Sequence, residues 1–175
     1  MSIWYFAYGS NMETATFRGR REIEFGHALA ARADGWRLVL DKPSLVPIGS
    51  SFANIIADST AHTFGVLYEI DADGLAHLDL TEGVLIGNYR RIEIPVVPLA
   101  TDRSPLNAYT LVSDQRSPDL FPSRRYLDCL INGAIEHELP EGWIAHLRAF
   151  TSQPETETER SFYALVNDAF RRQRS

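Results

Sequence analysis

The six residues Ile3-Trp4-Tyr5-Phe6-Ala7-Tyr8 are aromatic or apolar at every position. Side chains of a strand alternate between its two faces, so such a run presents apolar surface on both and is buried on both. The rest of the chain must therefore supply cover above and below this strand. It stops at Gly9-Ser10-Asn11, residue types that favour turns and helix caps, and a short helical stretch over 12–18 is expected next.

Strand patterns dominate the following hundred residues. Residues 22–31 and 36–40 read as strands about a turn at Asp34-Gly35, and 52–57 and 63–70 as two more. Between them 42–51, with Pro43, Pro47 and Gly49, reads as a surface loop. Asp71 opens a short helix or turn that carries Leu75, Leu78 and Leu80 inward and ends at Glu82-Gly83. Residues 89–97 alternate Ile92, Ile94 and Val96 with Arg91, Glu93 and Pro95, while Pro95 and Pro98 demote the strand to an edge or a bulged position. A last strand, 108–112, leads into a loop over 113–122.

Helical periodicity then takes over. Tyr126, Leu127, Leu130, Ile131 and Ala134 share one face, and Pro140 opens a second helix with Trp143, Leu147 and Phe150 inward. Phe162, Leu165, Val166 and Phe170 mark a final helix over about 161–172, with a basic tail Arg171-Arg172-Gln173-Arg174 that a frayed end explains. Strands first and helices last predict one α+β domain over 1–175, a mostly antiparallel sheet covered by helices.

Composition narrows the partners. The 175 residues are 45% apolar and 23% charged, as in globular domains. A net charge of −6 argues against a nucleic-acid-binding face. No run of about 18 apolar residues offers a membrane span, and Met1-Ser2-Ile3-Trp4-Tyr5 shows neither basic leader nor signal core. Cys129 is the single cysteine, so no intramolecular disulfide can form and a reducing, cytoplasmic setting is expected. Its apolar helical surroundings suit a buried, inert thiol. Lys42 is the sole lysine against sixteen arginines, a skew that coding bias explains.

Familiar chemistry is missing from the sequence. His27, His62, His77, His137 and His146 include no i, i+4 pair, and one cysteine cannot complete a thiolate site, so no metal is expected. Ser10 lacks the flanking glycines of a nucleophile elbow, and no glycine-rich phosphate loop occurs.

Two segments remain. Tyr5 to Met12 runs from a buried strand through Gly9-Ser10-Asn11 into a helix start. Such a junction aims several N–H groups at one spot, which suits a carboxylate or an oxyanion. A plain helix cap by Ser10 or Asn11 is the commoner reason for such residues. In Leu78-Asp79-Leu80-Thr81-Glu82-Gly83-Val84, followed by Gly87-Asn88-Tyr89, Glu82 is a candidate proton carrier in a partly desolvated pocket, or else a solvated turn residue.

Taken together the segments resemble a known family. Tyr8-Gly9-Ser10-Asn11-Met12 is similar to the signature loop of the γ-glutamylcyclotransferases, with Met12 in place of the commoner leucine. Leu78-Asp79-x-x-Glu82-Gly83-Val84-x-x-Gly87-x-Tyr89 resembles their catalytic segment. Pro122-Ser123-Arg124-Arg125-Tyr126, then Gly133-Ala134 and Leu139-Pro140, resemble a third element, so the likeness runs over about residues 3–150. Asn11 after Ser10 favours the general γ-glutamyl branch over the glutathione-specific one.

That resemblance implies a small mixed, mostly antiparallel β-barrel with flanking helices, acting without a cofactor as a monomer or homodimer. It implies a small γ-glutamyl substrate whose own α-amine attacks its γ-carbonyl, releasing 5-oxoproline and an amine or amino acid. Glu82 would be general base and acid, the Gly9-Ser10-Asn11 loop would hold anionic groups, and Tyr8, Met12, Tyr89 and Tyr126 would line the pocket. Arg124 or Arg125 would clamp a second carboxylate, unless they are ordinary exposed helix arginines. Residues 42–51 and 115–122 would shape the leaving-group side. Two alternatives stay open: a γ-glutamylamine or carrier-bound substrate, and a silent module that binds γ-glutamyl compounds or 5-oxoproline.

Overall fold

Every strand pairs on both sides. The structure, a computed structural model, describes residues 2–46, 48–99 and 104–173, without the side chains of Asn167 and of residues 169–173. Strands β1 (Ile3–Ala7), β2 (Ala28–Pro43), β3 (Ser51–Ile70), β4 (Arg90–Pro98) and β5 (Leu106–Val112) close a barrel in the order β1-β3-β2-β4-β5. Pairing is antiparallel except where β1 meets β5 in parallel, Tyr5 opposite Tyr109. Closure removes the unpaired edges that an open sheet must protect. β1 lies between β3 and β5, and Tyr5, Phe6 and Ala7 are buried, as the unbroken apolar run required. Gly65 lets β3 close on this strand, because a Cβ there would stand 2.2 Å from the Ala7 carbonyl oxygen.

Several local readings change. β2 and β3 are long and continuous, and Asp34-Gly35 is a break in register rather than a turn: Asp34 pairs with His62 and Trp36 with Ala57, with Gly35 at φ 80°. Residues 22–27 precede β2. Lys42 and Pro43 belong to β2 and Ser51 to β3, and Lys42 and Ser51 are wholly buried, so only the tip between them is a loop. Its Pro47 lies outside the described residues. β4 is no edge, since Val97 and Pro98 pair with β2. Pro95 lies beyond that short pairing, where its missing N–H is tolerated.

The helix expected over 12–18 is two short pieces, a 3₁₀ turn Ser10–Met12 and a π-helical turn Ala15–Arg20. Phe17 ties the second to the barrel, stacking on Tyr5 and Tyr68 with centroids 5.7 and 4.4 Å apart. Helix α1 (Ala72–Thr81) starts where the Asp71 side chain accepts from the Gly74 N–H at 2.7 Å. It buries Leu75 and Leu78 but leaves Leu80 63% exposed, against expectation. Helix α2 (Arg124–Glu136) is capped by Ser123, and α3 (Glu141–Arg148) follows Pro140 with Trp143 and Leu147 buried. Gly133 brings α2 onto the 3₁₀ turn: a Cβ there would fall 2.7 Å from Met12 and from the Glu13 nitrogen.

Helix α4 (Glu157–Gln173) begins one turn earlier than the hydropathy pattern indicated. Thr156 and Glu159 exchange hydrogen bonds, Glu159 N to Thr156 Oγ1 at 3.1 Å and Thr156 N to Glu159 Oε2 at 3.4 Å, a capping box. Tyr163 is buried and Leu165 is exposed, while the Phe170 side chain and Arg174 of the basic tail lie outside the described residues. Among the described residues no helix is long and apolar enough to cross a membrane, and no three His, Cys, Asp or Glu come together as a metal site.

Candidate active site

β1 delivers the chain to one end of the barrel, where Gly9 turns it into the 3₁₀ turn. A Cβ on Gly9 would lie 3.1 Å from the Tyr126 hydroxyl, a tight fit even for one carbon. Neither Ser10 nor Asn11 caps this turn with its side chain, and a three-residue turn carries little dipole. As its first groups, the N–H of Ser10 and Asn11 have no carbonyl one turn back to accept them.

Asn11 is buried and turned toward Glu82. Its Nδ2 donates to Glu82 Oε1 at 2.8 Å and to the Tyr5 hydroxyl at 3.2 Å. Its Oδ1 accepts from Arg21 Nε at 2.7 Å, and Arg21 Nη2 lies 2.7 Å from Glu82 Oε1. Asn11, Arg21 and Glu82 thus form a closed triangle in which each holds the other two. The desolvation expected at Glu82, whose side chain is 14% exposed, is met by a guanidinium and an amide N–H, partners that complement a carboxylate.

Glu82 terminates α1, its N–H donating to the Leu78 carbonyl at 2.9 Å. Gly83, at φ 71°, then turns the chain in a left-handed conformation that favours glycine. Behind it Asn88 Nδ2 donates to the Glu82 carbonyl at 2.9 Å. Lys42 Nζ donates to Asn88 Oδ1 and to the Pro43 carbonyl, the latter at 2.8 Å, and sits 4.9 Å from the centre of the Tyr89 ring. Burial lowers the Lys42 ammonium from 10.5 to about 8, with the Glu82 charge pulling the other way.

Four phenols surround the triangle. Tyr8 donates to the Leu111 carbonyl and Tyr89 to the Ala53 carbonyl at 3.0 Å. Tyr126 accepts from the Ala53 N–H at 3.0 Å, which leaves its own proton to give. Burial pushes all four, Tyr5 included, well above the usual phenol range, and the Glu82 charge adds to it. They stay protonated.

A cavity of about 430 Å³ opens over these groups, and every predicted site residue except Met12 lines it. Met12 is fully buried behind the turn, its carbonyl accepting from Tyr68 at 2.8 Å. Arg124 and Arg125 do not reach the cavity; they pair with Asp128 and Glu155 at 2.9 and 3.4 Å. The tip of 42–51 contributes Leu45 and Val46, whereas 115–122 contributes no lining residue. Cys129 stays apart, half-buried, its thiol pushed up to about 11 by burial.

Sequence reading missed Arg21, Arg20 and the α4 wall of Phe162, Tyr163 and Val166. Thr156-x-x-Glu159 was a usable signal for the start of α4. Nothing local marks Arg21. Arg20 lines the cavity with its guanidinium 5.8 Å from the Tyr163 ring, and among the described residues no carboxylate pairs with it.

The closed mixed barrel and parts of the sequence are shared with known proteins. A model of the AIG2-like family matches residues 62–147. A γ-glutamyl cyclotransferase of Aspergillus oryzae is 30% identical over 164 residues, covering 83% of this chain and 60% of its own, so the chain spans less than two thirds of that relative. Human γ-glutamylcyclotransferase is 25% identical over 162 residues, 85% of this chain and 78% of its own. Among solved structures, an uncharacterised human protein superposes with a TM-score of 0.78 at 25% identity, covering 95% of this chain and 98% of that one. A γ-glutamyl cyclotransferase gives 0.77 at 23% identity over 98% and 99% of the two chains, a likeness of fold. In sequence and in fold the chain is thus similar to the γ-glutamylcyclotransferases.

Proposed function

We propose that the protein is a cofactor-independent γ-glutamyl cyclotransferase. The observation that carries this reading is the Asn11–Arg21–Glu82 triangle, which with the protonated phenols makes the floor of the cavity. The substrate's α-amine attacks its own γ-carbonyl; a C–N bond closes the five-membered lactam and the amide C–N bond breaks. Both reactants sit in one molecule, which gives ring closure a large effective concentration. Two protons leave the attacking nitrogen and two arrive on the departing one, so the sum over the reaction is zero. Glu82 shuttles them, first as base and then as acid.

Arg21 and Asn11 fix the carboxylate in one orientation for both transfers. The free proton of Tyr126 and the N–H groups at Ser10 and Asn11 are donors for the tetrahedral oxyanion and the α-carboxylate. Arg20, without a carboxylate partner among the described residues, is suited to the latter. The test is 5-oxoproline release with Glu82→Gln, whose shape is conserved. Proton transfer of this kind contributes about 10²–10⁴ in rate, and the variant should lose at least about a hundredfold in kcat. A folded variant that keeps more than about a tenth of wild-type turnover removes Glu82 from the role. Failure of the wild type to release 5-oxoproline from any γ-glutamyl compound removes the enzyme reading.

A further inference from the structure

The cavity has two unlike ends. The groups of the triangle and the four phenols are buried or nearly so, and make its floor. Three separate elements make its rim: Leu45 and Val46 from the β2–β3 tip, Leu80 and Ile86 around the end of α1, and Phe162 and Val166 from α4. Leu45, Val46, Leu80 and Ile86 are 46, 55, 63 and 74% exposed, so large apolar side chains stand in water around the opening. Scattered exposed apolar residues are ordinary, but a ring of them around one cavity marks a binding surface.

From this geometry we infer that the leaving half of the substrate carries a branched or aromatic apolar group, held by the rim while the glutamyl half occupies the floor. The inference rests on the cyclotransferase reading and names its substrate class. Charge points the same way. Among the described residues the cations on the lining are Arg20 and Arg21, and Arg21 is engaged by Glu82 and Asn11. With Arg20 given to the glutamyl α-carboxylate, a leaving half that extends a carboxylate outward, as the glycine of glutathione does, meets mostly apolar side chains, with Thr81 among them, and no second free cation among the described lining residues. A hydrocarbon group there covers surface that is otherwise exposed, in both ground and transition states.

Initial rates of 5-oxoproline release from γ-glutamyl-leucine, γ-glutamyl-alanine and glutathione test this with the full chain. A methylene in an apolar pocket changes kcat/KM by about 10–200-fold when fully enclosed; three carbons on a half-open rim should give γ-glutamyl-leucine an advantage over γ-glutamyl-alanine of about tenfold or more. Glutathione should be the poorest of the three. Leu45→Ser and Ile86→Ser alter exposed side chains that the fold does not need, and each should pull the leucine-to-alanine ratio down by about threefold or more. A wild-type ratio near or below one, glutathione turned over faster than γ-glutamyl-leucine, or a ratio unmoved by both variants overturns the inference and leaves the cyclotransferase reading standing. No 5-oxoproline from any of the three overturns the inference, and none from any γ-glutamyl compound overturns both.

Discussion

Lys42→Met is the perturbation with the most specific expected outcome. Lys42 is fully shielded from solvent, and burial lowers its ammonium from 10.5 to about 8. At about 1.36 kcal/mol for each pH unit, holding that charge costs the folded state roughly 3 kcal/mol while the amine is charged in both states. Methionine keeps the volume of the stem and removes the charge. It also strips the donor from the Pro43 carbonyl and from Asn88 Oδ1, and an unmet buried acceptor costs about 1–3 kcal/mol. At pH 7 these effects nearly cancel, so the size of the stability change is a poor diagnostic. Its pH dependence is a good one.

Unfolded, the amine holds its proton up to about 10.5, and folded only up to about 8. The unfolded state therefore binds more protons between those values, and stability rises with pH, by roughly 1 kcal/mol from pH 7 to 9. Cys129 acts in the opposite sense: its thiol is raised from 9.0 to about 11, so stability falls above about pH 9 as the unfolded thiol ionises first. That contribution is common to wild type and variant and drops out of their difference. Urea unfolding followed by tryptophan fluorescence at pH 7, 8 and 9 measures it. The wild type should gain on Lys42→Met by about 1 kcal/mol across this range. Parallel curves would show that Lys42 is not a desolvated amine, and the bracing of Asn88 and Tyr89 by a buried charge would fall with it.

Two other substitutions test how the site is held. Gly133→Ala places a carbon 2.7 Å from Met12 and the Glu13 nitrogen, so α2 and the 3₁₀ turn must separate; thermal melting should show about 1–3 kcal/mol of destabilisation, with a raised KM as Gly9 to Asn11 shift. An unchanged melt would mean that this contact does not fix α2. Arg20→Gln removes a charge-assisted contact worth about 1.5–3 kcal/mol, and should raise KM by about tenfold with kcat within about twofold; a loss confined to kcat would place Arg20 with the reacting atoms instead of the carboxylate.

What could be read from the sequence was whatever is decided within a few residues. The double-faced burial of β1 follows from its own side chains, and Glu82 at the end of α1 follows from the Asp71 cap, the leucines and Gly83. Barrel closure does not. It depends on β4 pairing through Val97 and Pro98 with a strand more than sixty residues earlier, and Pro95 and Pro98 look locally like edge signals. The triangle joins Asn11 to Glu82 across 71 positions and to Arg21 across 10, through a π-helical turn that no hydropathy period announces. Lys42 is the sharpest case. Among Pro43, Pro47 and Gly49 a lysine reads as surface, because burying an ammonium is unfavourable unless acceptors converge on it. Here the acceptors come from its own neighbour Pro43 and from Asn88, and Asn88 reaches it only once the segment after α1 has folded against the end of β2. A charge whose burial depends on partners assembled by the tertiary fold leaves no trace in its local sequence, and the same holds for Arg21. The residues that brace Glu82 were therefore the ones least open to sequence reading, although Glu82 itself was not.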